Sequence, residues 1–315
     1  MNAVPTLDPA SSLAWPLTRL MWIVFALGGA VFVAVATFTA YYAWRYRHRG
    51  ARGEPPQIFG NAREEVLWMV GAAALLAGLF ALAWWTMNRV DPAPPAGRTP
   101  DVIVTGHQWY WEAAYPAAGG RGAVRVANEV HIPAGQRLLV ELRSADVIHD
   151  LWLPRLGRKM DAVPGQSNWL WLEADRPGRY GGTCAEFCGA QHAWMRLDVV
   201  ADAPEAFGAW LAAQARSAAP PSVAAAQAGA ALFAREGCGT CHALRGVGAR
   251  GGPGPDLTHF ASRQIIAGGV LTNTPANLRT WLRAPQAVKP GTRMPTYPLT
   301  DADLGHLGAY LGGLK

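Results

Sequence analysis

Charge is the first thing this 315-residue chain lacks. Only 16% of its residues are Asp, Glu, Lys or Arg, against about 25% in an ordinary soluble domain. Two stretches contain none at all: residues 20–44 and 66–88, which are 25 and 23 residues long. Cysteine is scarce too. Four in the whole chain exclude a disulfide-dense scaffold and require each thiol to be accounted for. No internal repeat is present, which removes solenoids and propellers. No cluster of Lys and Arg of the kind that tracks phosphates occurs in the polar two thirds, so a nucleic-acid partner is not expected. Half the residues are hydrophobic and 14 are Trp, which excludes a disordered or collagen-like chain.

The two uncharged stretches would span about 37 and 34 Å as helices, enough to cross a hydrocarbon core of about 30 Å. The first is too long for a signal-peptide core and no small-residue cleavage site follows it, so it reads as a retained anchor. Arg45, Arg47, Arg49, Arg52 and Arg63 fall between the spans, while the preceding tail holds only Arg19. That asymmetry places the connecting loop in the cytoplasm, and both termini and the soluble domains outside it. The expected layout is an outer tail at 1–19 and a transmembrane hairpin at 20–88.

A linker with four prolines (89–100) ends the hairpin. Short alternating runs follow at 102–104, 124–130, 137–142, 168–172 and 195–200, separated by turn chemistry such as Arg176-Pro177-Gly178. They predict a small all-β sandwich over 101–203. A helix and a second linker occupy 204–222. The tail, 223–315, carries helical patterns near 223–236, 276–284 and 300–313 and reads as an all-α domain. Residues 101–215 hold ten basic and thirteen acidic residues, and residues 216–315 ten basic and four acidic. The chain's net +6 therefore hides a basic tail facing a mildly acidic β domain, a balance suited to docking of two tethered modules.

Chemistry concentrates in two places. Cys184-Ala-Glu-Phe-Cys188-Gly-Ala-Gln-His192-Ala-Trp-Met195 puts two thiols, an imidazole and a thioether within twelve residues. Such soft ligands with imidazole suit copper, and two thiolates can bridge a pair of copper ions. A Cys184–Cys188 disulfide would leave His192 and Met195 unexplained, and zinc gains nothing from a thioether. A second imidazole is needed, and His149 is the candidate. Further on, Cys238-Gly-Thr-Cys241-His242 is the attachment motif for c-type haem, with His242 as one axial ligand. The other must come from downstream. Met294 is the only Met after Met195, with His259 and His306 as competitors, and a Met/His pair raises the haem potential.

Gly106-His-Gln-Trp-Tyr-Trp111, His131-Ile-Pro133, Ser144-Ala-Asp-Val-Ile-His149, Lys159-Met-Asp161 and the run from Cys184 to Met195 together resemble subunit II of the haem–copper cytochrome c oxidases. The resemblance covers both spans and the β domain. It implies a cupredoxin-like fold and a dinuclear copper A centre bridged by Cys184 and Cys188. His149 and His192 are then terminal imidazoles, Met195 a weak axial ligand, and Glu186 a carbonyl ligand whose carboxylate meets a magnesium ion shared with subunit I. Trp109 corresponds to the indole at which electrons enter, and Glu65 to the mouth of a proton pathway into subunit I. Asp150, where a small hydroxyl residue is usual, and Thr183, where Gln is usual, depart from the pattern. The tail resembles class I c-type cytochromes, which makes the whole similar to caa3-type oxidases. The implied role is electron transfer from a cytochrome donor through haem c and copper A to subunit I, which reduces oxygen, in a complex with subunits I and III. The alternative is subunit II of a copper-A nitric oxide reductase.

Overall fold

The computed structural model describes residues 5–47, 57, 59–117 and 122–315, apart from the side chain of Arg250. Arg49 and Arg52, two of the arginines used to orient the hairpin, lie outside the described residues. The chain divides into two compact units, residues 15–92 and the rest.

The smaller unit consists of two helices, α1 (Ala14–Arg45) and α2 (Ala62–Val90), both long and apolar enough to cross a membrane. Each extends beyond its uncharged stretch. Asn61 caps α2 by accepting from the backbone N–H of Arg63 at 3.2 Å, and Glu64 and Glu65 lie in the first turn, where the helix dipole favours acids. Trp22, Phe25, Phe32, Phe80 and Trp84 are exposed, as lipid-facing side chains must be.

The larger unit begins with the segment that leads into α1. Ser11 Oγ accepts from the N–H of Ala14 at 3.0 Å and donates to the carbonyl of Leu156 at 2.6 Å, while Ala10 N–H reaches the Arg155 carbonyl at 2.8 Å. Residues 102–202 build ten strands: β1 (Val102–His107), β2 (Tyr110–Tyr115), β3 (Val124–Ala127), β4 (Glu129–Pro133), β5 (Leu138–Ser144), β6 (His149–Trp152), β7 (Met160–Ala162), β8 (Asn168–Leu172), β9 (Gly178–Cys184) and β10 (Arg196–Asp202). They form two five-stranded sheets, ordered β3-β2-β1-β5-β8 and β4-β10-β9-β6-β7. Alternate residues such as Val102, Val104, Val140, Leu142, Leu197 and Val199 fill the space between, as period-two patterning requires.

The expected single run at 124–130 is two strands in different sheets. Asn128 breaks it at φ 61°, a conformation that Asn tolerates. Its side-chain oxygen accepts from Trp111 N–H at 3.0 Å and its own N–H meets the Trp111 carbonyl at 2.8 Å, so the crossing is pinned. Helix α3 (Pro204–Gln214) closes the β domain by laying Phe207, Trp210 and Leu211 on its core.

Four helices follow: α4 (Ala224–Arg235), α5 (Pro275–Arg283), α6 (Pro285–Val288) and α7 (Asp301–Gly312). Leu232, Phe233, Leu278, Leu282, Leu304 and Leu307 form their core. Thr300 and Asp303 close a capping box at the start of α7. Where α4 crosses α7, a Cβ on Gly229 would lie 2.7 Å from Tyr310 Cβ and closer still to the His306 carbonyl. Only glycine lets the two backbones approach that far.

Candidate metal centre and haem cleft

Strand pairing brings the first set of candidates together. β9 runs antiparallel to β10 and to β6, so Cys184 at the end of β9 lies beside Met195 and beside Leu151, two residues after His149. Cys184 N–H bonds the Met195 carbonyl at 3.0 Å and Ala185 N–H the Asp150 carbonyl at 3.0 Å, which closes the connection into a tight loop. Inside it the two sulfurs are 3.8 Å apart. His149 Nδ1 is 3.9 Å from Cys184 Sγ, His192 Nδ1 is 3.7 Å from Cys188 Sγ, and Met195 Sδ is 3.8 Å from Cys188 Sγ. The Glu186 carbonyl turns inward to 3.3 Å from Cys184 Sγ, while its carboxylate stays exposed. The ligand atoms of His149, Cys184 and Cys188 all lie within 4.8 Å of one another.

One imidazole facing each of two sulfurs, with a thioether and a carbonyl beside them, is a donor set that fits two soft-binding metal ions and leaves no ligand over. The sulfur–sulfur hydrogen bond pulls Cys184 down to about 3 and pushes Cys188 up. The thiolate is the metal-binding form of cysteine. Burial disfavours charge on His149, but hydrogen bonds to Cys184 and Asp146 outweigh it and raise its pKa. Asp146 is a residue the sequence reading quoted within a motif but gave no role. It holds His149 Nε2 at 2.8 Å and so presents Nδ1 to the sulfurs, the arrangement by which a carboxylate orients a metal-binding imidazole.

The second set lines a cleft of about 1210 Å³, part of it open to solvent. Cys238, Cys241, His242 and Met294 all border it, whereas His259 and His306 do not. His259 instead meets the Arg216 carbonyl at 3.0 Å, and His306 belongs to α7. His242 Nδ1 contacts the Pro255 carbonyl at 2.9 Å, which leaves Nε2 for iron, and burial keeps the ring below its ordinary pKa and hence neutral. The cleft walls are mainly apolar, including Leu257, Phe260, Ile266 and Leu278. Three cations, Arg263, Lys289 and Arg293, and no carboxylate complete them. That composition fits a flat apolar macrocycle bearing two carboxylates.

Trp109 belongs to both places. Its indole Nε1 donates to the Cys188 carbonyl at 2.9 Å, joined there by Gln108 Nε2 at 2.9 Å, and Gln108, Trp109 and Tyr110 form part of the cleft wall. Glu65 belongs to the helical unit and is exposed in the first turn of α2.

Two long apolar helices, a two-sheet sandwich with a sulfur–imidazole loop and a helical domain with a haem-attachment motif define a membrane-anchored electron-transfer protein. Residues 114–202 match the family of the cytochrome c oxidase subunit II periplasmic domain, and residues 226–315 match the cytochrome c family. Cytochrome c oxidase subunit 2 of Alkalihalophilus pseudofirmus is 36% identical over 98% of this chain and 90% of its own, and that of Bacillus subtilis 31% over 98% and 91%. The crystal structure of the periplasmic domain of subunit II of cytochrome oxidase of Bradyrhizobium japonicum is 31% identical, covering 37% of this chain and 95% of its own with a TM-score of 0.35. The chain belongs to the cytochrome c oxidase subunit II family, in the form that carries its own cytochrome c domain. Its role is electron transfer within that oxidase, and the nitric oxide reductase alternative gains nothing from these relatives.

Proposed function

We propose that Cys184, Cys188, His149, His192, Met195 and the Glu186 carbonyl would hold two copper ions, and that Cys238 and Cys241 would attach a haem c with His242 and Met294 as its protein ligands. Both groups would supply one-electron chemistry, so that the chain would carry electrons from a cytochrome donor to subunit I, where oxygen is reduced. The observation that carries the copper assignment is the spacing of the donor set, one imidazole nitrogen facing each sulfur at 3.9 and 3.7 Å across a 3.8 Å sulfur pair.

The residues around these groups have distinct work. Asp146 orients His149, and Trp109 is the indole through which the copper loop receives electrons. The exposed Glu186 carboxylate is free to meet a magnesium ion at the contact with subunit I. Glu65 serves a proton path into that subunit, and subunit III completes the complex. The sandwich and haem domain lie on the outer face of the bacterial membrane. Two features support that side: the surviving asymmetry of Arg45, Arg47 and Arg63 against Arg19, and the binding of residues before α1 to the sandwich after α2, which fits an even number of crossings. The domain limits follow as a hairpin at 20–88, a copper domain at 101–203 and a haem domain at 223–315. The test is Cys184→Ser in the purified complex. The multiline EPR pattern of one electron shared by two copper nuclei should vanish while the haem spectrum persists, and an unchanged pattern refutes the assignment.

A further inference from the structure

The haem domain does not merely follow the copper domain in the chain; its buried polar groups interlock with it. Glu129 on β4 is 4% exposed, and its Oε1 accepts from the backbone N–H groups of Gln264 at 2.6 Å and Ile265 at 3.0 Å. Lys289, just after α6, is 2% exposed and has no carboxylate partner among the described residues; its Nζ donates to the Trp109 carbonyl at 2.7 Å. Each domain thus sends one ionisable side chain into backbone groups of the other. Between these points the turn at Ala267, Gly268 and Gly269, all at positive φ, presses on the copper domain. Its Gly268 carbonyl accepts from Arg196 N–H at 3.0 Å. A Cβ on Gly268 would lie 2.8 Å from the Trp109 carbonyl, and one on Gly269 2.9 Å from Arg196 Cβ.

We propose that Glu129 and Lys289 are positioning residues that clamp the haem domain over Trp109, so that the chain's own cytochrome, and no external donor, occupies the approach to the copper loop. The charge balance of the two domains suggested docking, and Arg293 does pair with Asp146 across the interface at 3.7 Å, half exposed; the buried contacts are of another kind. A surface ion pair weakens with salt. A buried carboxylate on two amide N–H groups and a buried amine on a carbonyl are poorly screened, and losing either leaves the opposite backbone groups unsatisfied. Glu129 also pairs with Arg179 of its own domain at 3.2 Å. The buried part of the clamp is therefore set by geometry and only weakly dependent on ionic strength, and it acts as one unit across the interface. The role of Trp109 within it rests on the function proposed above; the closure of the interface does not.

Two measurements on the purified complex test this. Amide hydrogen exchange at Gln264 and Ile265 reads closure directly, whatever the metals do. Lys289→Met touches neither amide, yet it should speed their exchange about tenfold, which is about 1.4 kcal/mol. Glu129→Ala should do the same to the turn at 267–269, and Glu129→Gln, which keeps an acceptor oxygen, should restore much of the protection. Rapid mixing with reduced external cytochrome c reads the route. In the wild type the haem should be reduced first and the copper after it, at a rate only weakly dependent on salt. In Lys289→Met the second step should slow and become more salt-dependent while the copper EPR spectrum stays the same. Unchanged exchange and transfer in both variants, or copper in the wild type reduced as early as the haem, overturns the proposal. A wild type without the two-copper EPR pattern would instead overturn the copper assignment, and the exchange data would still decide the clamp.

Discussion

Gly106→Ala should disable the copper centre without altering any of its ligands. Gly106 lies on β1 directly beneath His149, and a Cβ there would fall 2.6 Å from His149 Cδ2, 2.8 Å from Cγ and 3.1 Å from Cβ. Carbon atoms rest at about 3.5–4.0 Å, so the ring must retreat by about 1 Å. The strand cannot yield instead, because Gly106 is paired on both sides, to Trp111 of β2 and to Ser144 of β5. Nor has the ring room to spare: it is fully buried, with Trp111 set against it edge-on at 5.8 Å. Metal sites tolerate ligand displacements of about 0.2 Å, so a shift several times larger removes Nδ1 from its place opposite Cys184. Loss of an outer hydrogen-bond partner alone lowers metal affinity about 10–100-fold, and displacing a ligand should do at least as much. Copper titration of the complex followed by EPR would show a weakened site and a spectrum no longer shared by two nuclei, with the haem absorbance as an internal control. Wild-type affinity with an unchanged multiline pattern would refute the reasoning.

Asp146→Asn removes the charge that orients His149 through the 2.8 Å contact; copper affinity should fall about 10–100-fold, read by the same titration. Gly229→Ala forces α4 and α7 apart and should destabilise the haem domain by about 1–3 kcal/mol, or about 4–8 °C per kcal/mol in its thermal midpoint. Gly308→Ala on α7, where a Cβ meets nothing within 4 Å, should leave the domain as stable or slightly more so. Burial lowers Lys289 from the ordinary 10.5 to about 8. An opened or unfolded chain then binds more protons between those values, so the closed interface gains stability as pH rises through that window. The urea midpoint of the haem domain should rise accordingly, and the rise should be absent in Lys289→Met.

What could be read from the sequence, and what could not, divides along a physical line. Metal and haem attachment demand particular residue types at short spacing, so Cys184, Cys188, His192, Met195 and the Cys238–His242 motif were visible, and the membrane helices announced themselves by the absence of charge. Met294 stands out from its competitors because methionine is rare in the tail, and it borders the cleft where His259 and His306 do not. The strands Tyr110–Tyr115, His149–Trp152, Met160–Ala162 and Gly178–Cys184 were not foreseen. Three of them contain Gly, His or Trp at positions where alternation is broken, Met160–Ala162 is only three residues long, and all four exist because partners across the sheet complete them. Glu129, Asp146 and Lys289 were not assigned roles either. All three bind backbone groups, which any residue can supply, and the partners of Glu129 and Lys289 lie 135 and 180 positions away. Nothing local marks such a residue before the chain has folded.

The shared wall of the haem cleft also imposes an order on biogenesis. Gln108, Trp109 and Tyr110 close one side of the space that must receive the macrocycle, and thioether formation at Cys238 and Cys241 needs both thiols open to a maturation enzyme. The cleft is widest before the two domains meet, so haem attachment is expected to precede their closure. Cys238→Ala/Cys241→Ala chains, captured before maturation, should leave Gln264 and Ile265 unprotected from exchange; full protection would show that the domains close first.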